Sequence, residues 1–192
     1  MKTPNGKNST RGFTITELLV GLVVVLVLSA LAIPNTLATL RAYRLAGSAR
    51  SLAHQLSLAR LRAETDFTQS QLVIDPGTNS YSVQVCTVAG KANNCTTTAD
   101  YANEETQILA SGMSFGFGPA GSAAPGQSPM QQTLQTRFNS RGVPILLDGS
   151  GNTNANDVIY LTDGQATTFA VSVTVGGHVR VWQYNAGGWH QQ

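Results

Sequence analysis

The amino-terminal part of the chain is dominated by one long apolar run. Residues 18–40 contain no charged side chain, and the run is long enough to cross the roughly 30 Å hydrocarbon layer of a bilayer as a helix. Glu17 immediately precedes this run. Because a carboxylate at the edge of a membrane-spanning helix costs free energy, we expect Glu17 to have a polar or cationic partner.

A second pattern continues the helix beyond the apolar run. Apolar residues recur at alternating spacings of four and three, which places them on one stripe of an α-helix. We therefore predict a helix over residues 13–65 whose outer half packs against a globular domain, with a heptad coiled coil as the alternative. Pro34 is expected to kink or locally unwind this helix, because proline removes one backbone hydrogen bond. The stripe consists of Leu45, Ala49, Leu52, Leu56, Ala59 and Ala63.

Residues 66–192 change to short β-like runs separated by Gly, Asn and Pro. They predict an antiparallel β domain, so the fold class is α+β, a long amino-terminal helix packed on a carboxy-terminal sheet. For the last hairpin we favour a three-residue loop with a bulge, which pairs Val175 with Val179 and turns Arg180 outward. Strands are predicted at 71–75, 80–88, 107–117, 134–139, 158–161, 167–175 and 179–184, with a turn at 76–79.

The residues around Glu17 form a motif. Residues 12–18, Gly-Phe-Thr-Ile-Thr-Glu-Leu, resemble the processing site of type IV prepilins and type II secretion pseudopilins. In those families a membrane peptidase cuts after the Gly and methylates the new amino terminus. The resemblance implies that residues 1–12 are a leader peptide, cut between Gly12 and Phe13. It also implies that the amino group of Phe13 in one subunit meets Glu17 of another.

Two later elements resemble the GspH/FimT branch of minor pilins and pseudopilins. They are residues 59–63, Ala-Arg-Leu-Arg-Ala, and residues 138–142, Phe-Asn-Ser-Arg-Gly. The resemblance implies a pilin-like subunit of a type IV pilus or a type II secretion pseudopilus, with no catalysis and no cofactor. Its implied partners are other pilin or pseudopilin subunits, the prepilin peptidase and the assembly platform of the inner membrane.

Basic residues at the amino terminus predict the orientation in a bacterial inner membrane. Lys2, Lys7 and Arg11 precede the apolar run, so the positive-inside rule places the amino terminus in the cytoplasm. Residues 18–40 would then cross the membrane once and residues 66–192 would lie in the periplasm. An ordinary signal peptide is the alternative, although no clear cleavage site ends the apolar run and residues 29–32, Ser-Ala-Leu-Ala, are only a weak candidate.

Cys86 and Cys95 are the two cysteines of the chain. In an oxidising compartment we expect them to form a disulfide, which stabilises the domain by about 2–3 kcal/mol through chain entropy. Two free thiols are the alternative. A metal site is disfavoured because the pair supplies too few ligands and the histidines lack a matching spacing.

Other function classes find little support in the sequence. The domain after Asp66 has more acidic than basic residues, which argues against a broad nucleic-acid surface. A DNA-binding minor pilin for DNA uptake nevertheless remains the alternative, with Arg141 and Arg180 as contacts. A membrane-anchored periplasmic enzyme is the third hypothesis; residues 112–116 fit the G-x-S-x-G pattern, but no helix can come after them.

Two further segments, one rich in glycine and one in polar residues, are compared with known ligand-binding loops. The stretch 116–126 lacks the ending of a phosphate-binding loop and is expected to be a flexible surface loop. Residues 148–157 carry oxygen ligands at alternate positions but lack the Gly and Glu of an EF-hand loop. A turn-rich linker is the favoured interpretation there, and a loose calcium site is the alternative.

Overall fold

The computed structural model describes residues 12–88, 95, 97–145, 156–185 and 187–192. Two compact units divide the chain, the first ending at Leu40 and the second beginning at Arg41. The helix α1 spans Ile15–Thr65, close to the predicted 13–65. The strands are β1 Ser70–Asp75, β2 Ser80–Cys86, β3 Tyr101–Ile108, β4 Ser114–Phe115, β5 Gln135–Phe138, β6 Pro144–Ile145, β7 Asp157–Thr162, β8 Thr168–Val173, β9 Val179–Asn185 and β10 Gly188–Gln191.

The strands form two antiparallel sheets of five strands each. The first has the order β3-β2-β1-β5-β6 and the second the order β10-β9-β8-β7-β4. The predicted α+β class, with a long amino-terminal helix and an antiparallel β domain, is confirmed. The sequence patterns indicated strands but not their division between two sheets, because that division depends on long-range pairing.

The helix stripe forms the centre of the main core. All six predicted stripe residues are 0 % exposed, and they cluster with apolar side chains from both sheets, including Leu72, Phe138 and Ile159. Full burial of a Leu side chain is worth about 1.5–3 kcal/mol, so this face accounts for much of the stability of the domain. The prediction of a packing face is confirmed, and the coiled-coil alternative is wrong, because the stripe packs against the chain's own sheets.

The carboxy-terminal end of α1 is held by a junction of three segments. The Arg60 side chain donates from Nη1 to the carbonyl oxygen of Gly177 at 2.9 Å and from Nε to Glu64 Oε1 at 3.1 Å. Gly142 has a φ of +69°, and a Cβ there would overlap the Glu64 carboxylate. The two elements that resemble GspH/FimT proteins, 59–63 and 138–142, also meet in the core, where Ala59, Ala63 and Phe138 belong to one cluster.

Three of the strands, β3, β6 and β10, were missed or misplaced by the sequence patterns. The prediction of a strand over 107–117 is wrong, since β3 ends at Ile108 and only the two-residue strand β4 comes next. In β3 six of eight residues are exposed, and its pairing with β2 is irregular between Val83 and Gln84. An exposed edge strand needs no apolar alternation, and its charges and bulge discourage pairing with other chains. The short strand β10 was also not predicted by any sequence pattern.

The last hairpin adopts a register that differs from the prediction. Val173 pairs with Val179, and Ser172 pairs with Arg180, so residues 174–178 form the connecting loop. The Gly177 N–H donates to the carbonyl of Thr174 at 2.7 Å, and Thr174 N–H donates to the carbonyl of His178 at 3.0 Å. These turn hydrogen bonds leave Val175 exposed. The predicted pairing of Val175 with Val179 is thus wrong by two residues, because Val179 pairs with Val173, whereas Arg180 is exposed as expected.

The glycine-rich segment after β4 packs on the outer side of the second sheet. Ala124 is buried in a cluster with Val158, Tyr160 and Ala170. The Ala124 N–H donates to the Tyr160 hydroxyl at 3.0 Å, and that hydroxyl donates to Gln127 Oε1 at 2.6 Å. Burial raises the pKa of Tyr160, and the Ala124 hydrogen bond partly offsets this. Residues 116–126 form a surface loop as predicted, and Ala124 attaches this loop to the second sheet; its flexibility stays a prediction.

Candidate processing and assembly site

Thr14 caps the amino-terminal end of α1. The Glu17 N–H donates to Thr14 Oγ1 at 3.2 Å, and the Leu18 N–H donates to the Thr14 carbonyl at 3.2 Å. Thr14 is therefore the N-cap and Glu17 the third helical residue, in the T-x-x-E spacing of a capping box. A carboxylate there is also favoured by the helix dipole. The sequence contains this spacing, but the predictions for Glu17 concerned its cost in the membrane and its contact with Phe13 of another subunit, not capping.

Gly12 has no role in the fold that would require a glycine. A Cβ built on it would meet no described atom within 4 Å. Gly142 is the opposite case, since it combines a positive φ with a clash against Glu64. A requirement for glycine at position 12 would therefore have to come from a partner outside the chain.

The first compact unit exposes its apolar side chains. Phe13 is 84 % exposed, Ile15 82 % and Leu18 64 %. The same holds along the unit, where Leu22 and Leu26 are each more than half exposed. These side chains need a membrane or another subunit to cover them.

Two further predictions for this unit concern the membrane span over residues 18–40 and the kink at Pro34. Among the described residues, no helical stretch is both long and apolar enough to qualify as membrane-spanning. The membrane insertion of residues 18–40 stays a prediction. The helix α1 continues through position 34, and the kink at Pro34 also stays a prediction.

Cys86 and Cys95 form the predicted disulfide. The carbonyl of Cys95 accepts hydrogen bonds from the Tyr101 hydroxyl at 3.3 Å and from Arg137 Nη1 at 3.2 Å. The Arg137 guanidinium also lies 5.2 Å from the centre of the Tyr101 ring. Burial raises the pKa of Tyr101, and the positive charge of Arg137 opposes that shift. The disulfide therefore belongs to a polar network that fastens this part of the chain to the first sheet.

Arg137 also reaches a buried amide on the first sheet. Its Nε donates to Oε1 of Gln71, which is 0 % exposed, at 3.2 Å. The Gln71 amide nitrogen donates to Gln84 Oε1 at 2.7 Å, and Gln135 donates to Gln71 as well. A fully buried amide is tolerated because its donors and acceptors are paired. No sequence pattern indicated this cross-strand network.

The candidate DNA contacts lie on the surface. Arg141 and Arg180 are both exposed. In the described ranges, the two ion pairs are Arg60 with Glu64 and Arg62 with Glu104, so neither candidate arginine is held by a carboxylate there. Their role in DNA binding stays a prediction.

The other sequence motifs give no chemical site within the described ranges. Ser114 lies in the short strand β4, and the residues after Phe115 form a packed loop rather than the helix that a nucleophile elbow needs. The residues that the structure describes contain no cluster of three or more His, Cys, Asp or Glu suited to a metal ion. Most of the calcium candidate 148–157 falls outside the described residues.

The predicted cleavage junction, the Thr14 cap and Glu17 all lie in one matched segment. Residues 7–33 match the family model of the prokaryotic N-terminal methylation motif. The chain therefore carries a prokaryotic N-terminal methylation motif. The resemblance stated from residues 12–18 is thereby confirmed. The match does not extend to the β domain, so assignment to the GspH/FimT branch stays a prediction.

Solved structures of two kinds show a distant likeness. The minor pseudopilin EpsH from the type 2 secretion system of Vibrio cholerae is 14 % identical, with a TM-score of 0.49, covering 76 % of this chain and 99 % of that one. The type IV minor pilin FimU of Pseudomonas aeruginosa is 12 % identical, with a TM-score of 0.45, covering 70 % of this chain and 85 % of that one. At these sequence identities and TM-scores, the likeness carries no conclusion about function. No curated protein matches the sequence significantly.

Proposed function

We propose that this pilin-like protein is a minor pilin or pseudopilin subunit that takes part in assembly or priming of a type IV pilus or a type II secretion pseudopilus. The observation that carries the proposal is the methylation motif over residues 7–33, which contains Gly12, Phe13 and Glu17. The lack of a folding requirement for glycine at position 12 supports it, because the glycine is then explained by the peptidase.

In this proposal the prepilin peptidase removes residues 1–12 and methylates the new amino group of Phe13. Residues 18–40 anchor the chain in the inner membrane, with the amino terminus in the cytoplasm and the β domain in the periplasm. The exposed apolar side chains of the first unit and the uncharged sequence of this run support that placement. The protein is a structural subunit without catalysis of its own.

Assembly would depend on the Glu17 carboxylate and the amino group of Phe13 in a neighbouring subunit. Glu17 is exposed, so its side chain is accessible to such a partner. In the low dielectric of the membrane, two opposite charges attract strongly and an unpaired charge is costly. Entry into the filament therefore satisfies both groups. The assembly platform of the inner membrane would bring the subunits together.

Mass spectrometry of the membrane-extracted protein tests the proposal directly. The expected product begins with N-methyl-Phe13 and contains none of residues 1–12. Cleavage after residue 30 or beyond, as an ordinary signal peptidase would produce, would contradict the proposal. Whether the filament is a pilus or a pseudopilus is then decided by isolating sheared filaments from cells and identifying the major subunit that accompanies this protein.

A further inference from the structure

The peptide bond between Gly12 and Phe13 lies just outside the helix. Residues 12–14 are not helical, and α1 begins at Ile15. In a longer helix, the Glu17 N–H would donate to the carbonyl of Phe13, four residues earlier. Here it donates to Thr14 Oγ1 instead, at 3.2 Å. The Thr14 hydroxyl thus replaces the hydrogen bond that would draw Phe13 into the helix.

We propose that Thr14 is a positioning residue for leader removal, which keeps the Gly12–Phe13 peptide outside the helix and open to the peptidase. The inference rests on the proposed cleavage after Gly12. In that hydrolysis, water adds to the carbonyl carbon of Gly12, the bond to the Phe13 nitrogen breaks, and a carboxyl group and an amine are formed. In a helix that started one turn earlier, the Gly12 carbonyl would be bonded to the Thr16 N–H and shielded from attack.

The sequence offers other places for the helix to begin. Asn8, Ser9 and Thr10 are good N-cap residues upstream, and a helix capped by any of them would enclose the Gly12–Phe13 bond. Thr16 is a further N-cap residue downstream, which would leave the bond extended. A decisive variant must therefore remove both Thr14 and Thr16, so that the remaining caps lie upstream of the scissile bond.

The test compares two full-length precursors in detergent with purified prepilin peptidase. Thr14→Ala/Thr16→Ala lacks the cap, and Thr14→Ser/Thr16→Ala restores it with the same change at position 16. We expect kcat/KM for the first to fall by about five-fold, the factor that corresponds to the ~1 kcal/mol typical of a lost N-cap. The serine variant should be cleaved at the wild-type rate.

A structural readout accompanies the kinetics. Backbone carbon chemical shifts of labelled Phe13 should move towards helical values in the alanine double variant and stay extended in the serine variant. A third precursor, Thr14→Asn/Thr16→Ala, separates capping from direct recognition of a hydroxyl. Asparagine caps helices as well as serine does, so it too should restore cleavage.

The outcomes distinguish this inference from the proposed function. Equal cleavage of the alanine and serine double variants would overturn the role of Thr14 while leaving processing after Gly12 intact. Rescue by serine but not by asparagine would also overturn it, because the peptidase would then bind the hydroxyl itself. If the wild-type precursor is not cut after Gly12 at all, the proposed function fails together with the inference.

Discussion

Arg60 donates a hydrogen bond from Nη1 to the carbonyl oxygen of Gly177 at 2.9 Å, which joins the last turns of α1 to the loop between β8 and β9. The same guanidinium contacts Glu64, whose carboxylate in turn lies against Gly142, beside β5 and β6. Helix, first sheet and second sheet therefore meet at one place. Both charged side chains are partly exposed, so the hydrogen bonds and the close packing matter more here than the ion pair.

The first prediction separates a glycine needed for folding from one needed for processing. Gly142→Ala should lower the free energy of unfolding by about 1–2 kcal/mol or more, because its φ is left-handed and its methyl group would overlap Glu64. Gly12→Ala should leave the unfolding midpoint unchanged but retain the leader. Urea unfolding of the detergent-solubilised protein and a gel shift measure the two effects. A lowered midpoint for Gly12→Ala would show that this glycine serves the fold after all.

The second prediction concerns alkaline pH. The folded state raises the pKa of Tyr101 and Tyr160 above the ordinary value of 10.0, mainly because the hydroxyls are buried. Above that value the unfolded chain releases these protons and the folded chain retains them, so stability should fall as the pH rises. Urea unfolding over a pH series, with tyrosinate absorbance recorded in parallel, tests this. Constant stability through the tyrosine titration would contradict the raised pKa values.

The third prediction addresses the DNA-uptake alternative. Replacing Arg141 and Arg180 together with Ala should leave DNA retention by the protein unchanged if it serves only as a filament subunit. Electrophoretic mobility shifts at two salt concentrations provide the measurement, with Arg50→Ala as a control that removes an exposed arginine elsewhere. A large, salt-sensitive loss specific to the double variant would favour the DNA receptor, because phosphate contacts weaken steeply with salt.

Local and periodic features were predictable from the sequence. The stripe from Leu45 to Ala63 has a helical period, and its burial follows because six apolar residues on one face need a partner. The turn at 76–79 also follows from local residues, since Asp75 accepts hydrogen bonds from Gly77 N–H and Thr78 Oγ1 across it. These hydrogen bonds lower the pKa of Asp75, first that from the Thr78 hydroxyl and then that from Gly77. Such features depend on near neighbours in the chain.

Features that depend on distant contacts were not predictable. The exposed strand β3 has no apolar alternation, so its own residues do not indicate a strand. It forms by pairing with β2. The segment around Ala124 is ordered by Tyr160, which lies far along the chain. The register of the last hairpin follows from turn hydrogen bonds at Thr174 rather than from the valine pattern. The capping role of Thr14, by contrast, could be predicted from the local T-x-x-E spacing.

The last prediction concerns the charge of Glu17. Glu17→Gln keeps a residue suited to a capping box but removes the charge, and Glu17→Ala removes both. Both variants should be inserted and cleaved normally, because the peptidase acts on residues around Gly12. Both should enter filaments poorly, since the amino group of Phe13 in the neighbouring subunit would be left unpaired in the membrane.

The sharpest test of this assembly contact is the amount of Glu17→Gln protein in sheared filaments, relative to the wild-type protein and normalised to the cleaved pool in the membrane. We expect normal leader removal together with a large loss of filament-associated protein. Glu17→Asp, which keeps the charge on a shorter side chain, should be incorporated better than Glu17→Gln. Normal incorporation of Glu17→Gln would contradict the proposed contact, because Glu17 would then merely extend to the membrane surface without holding subunits together.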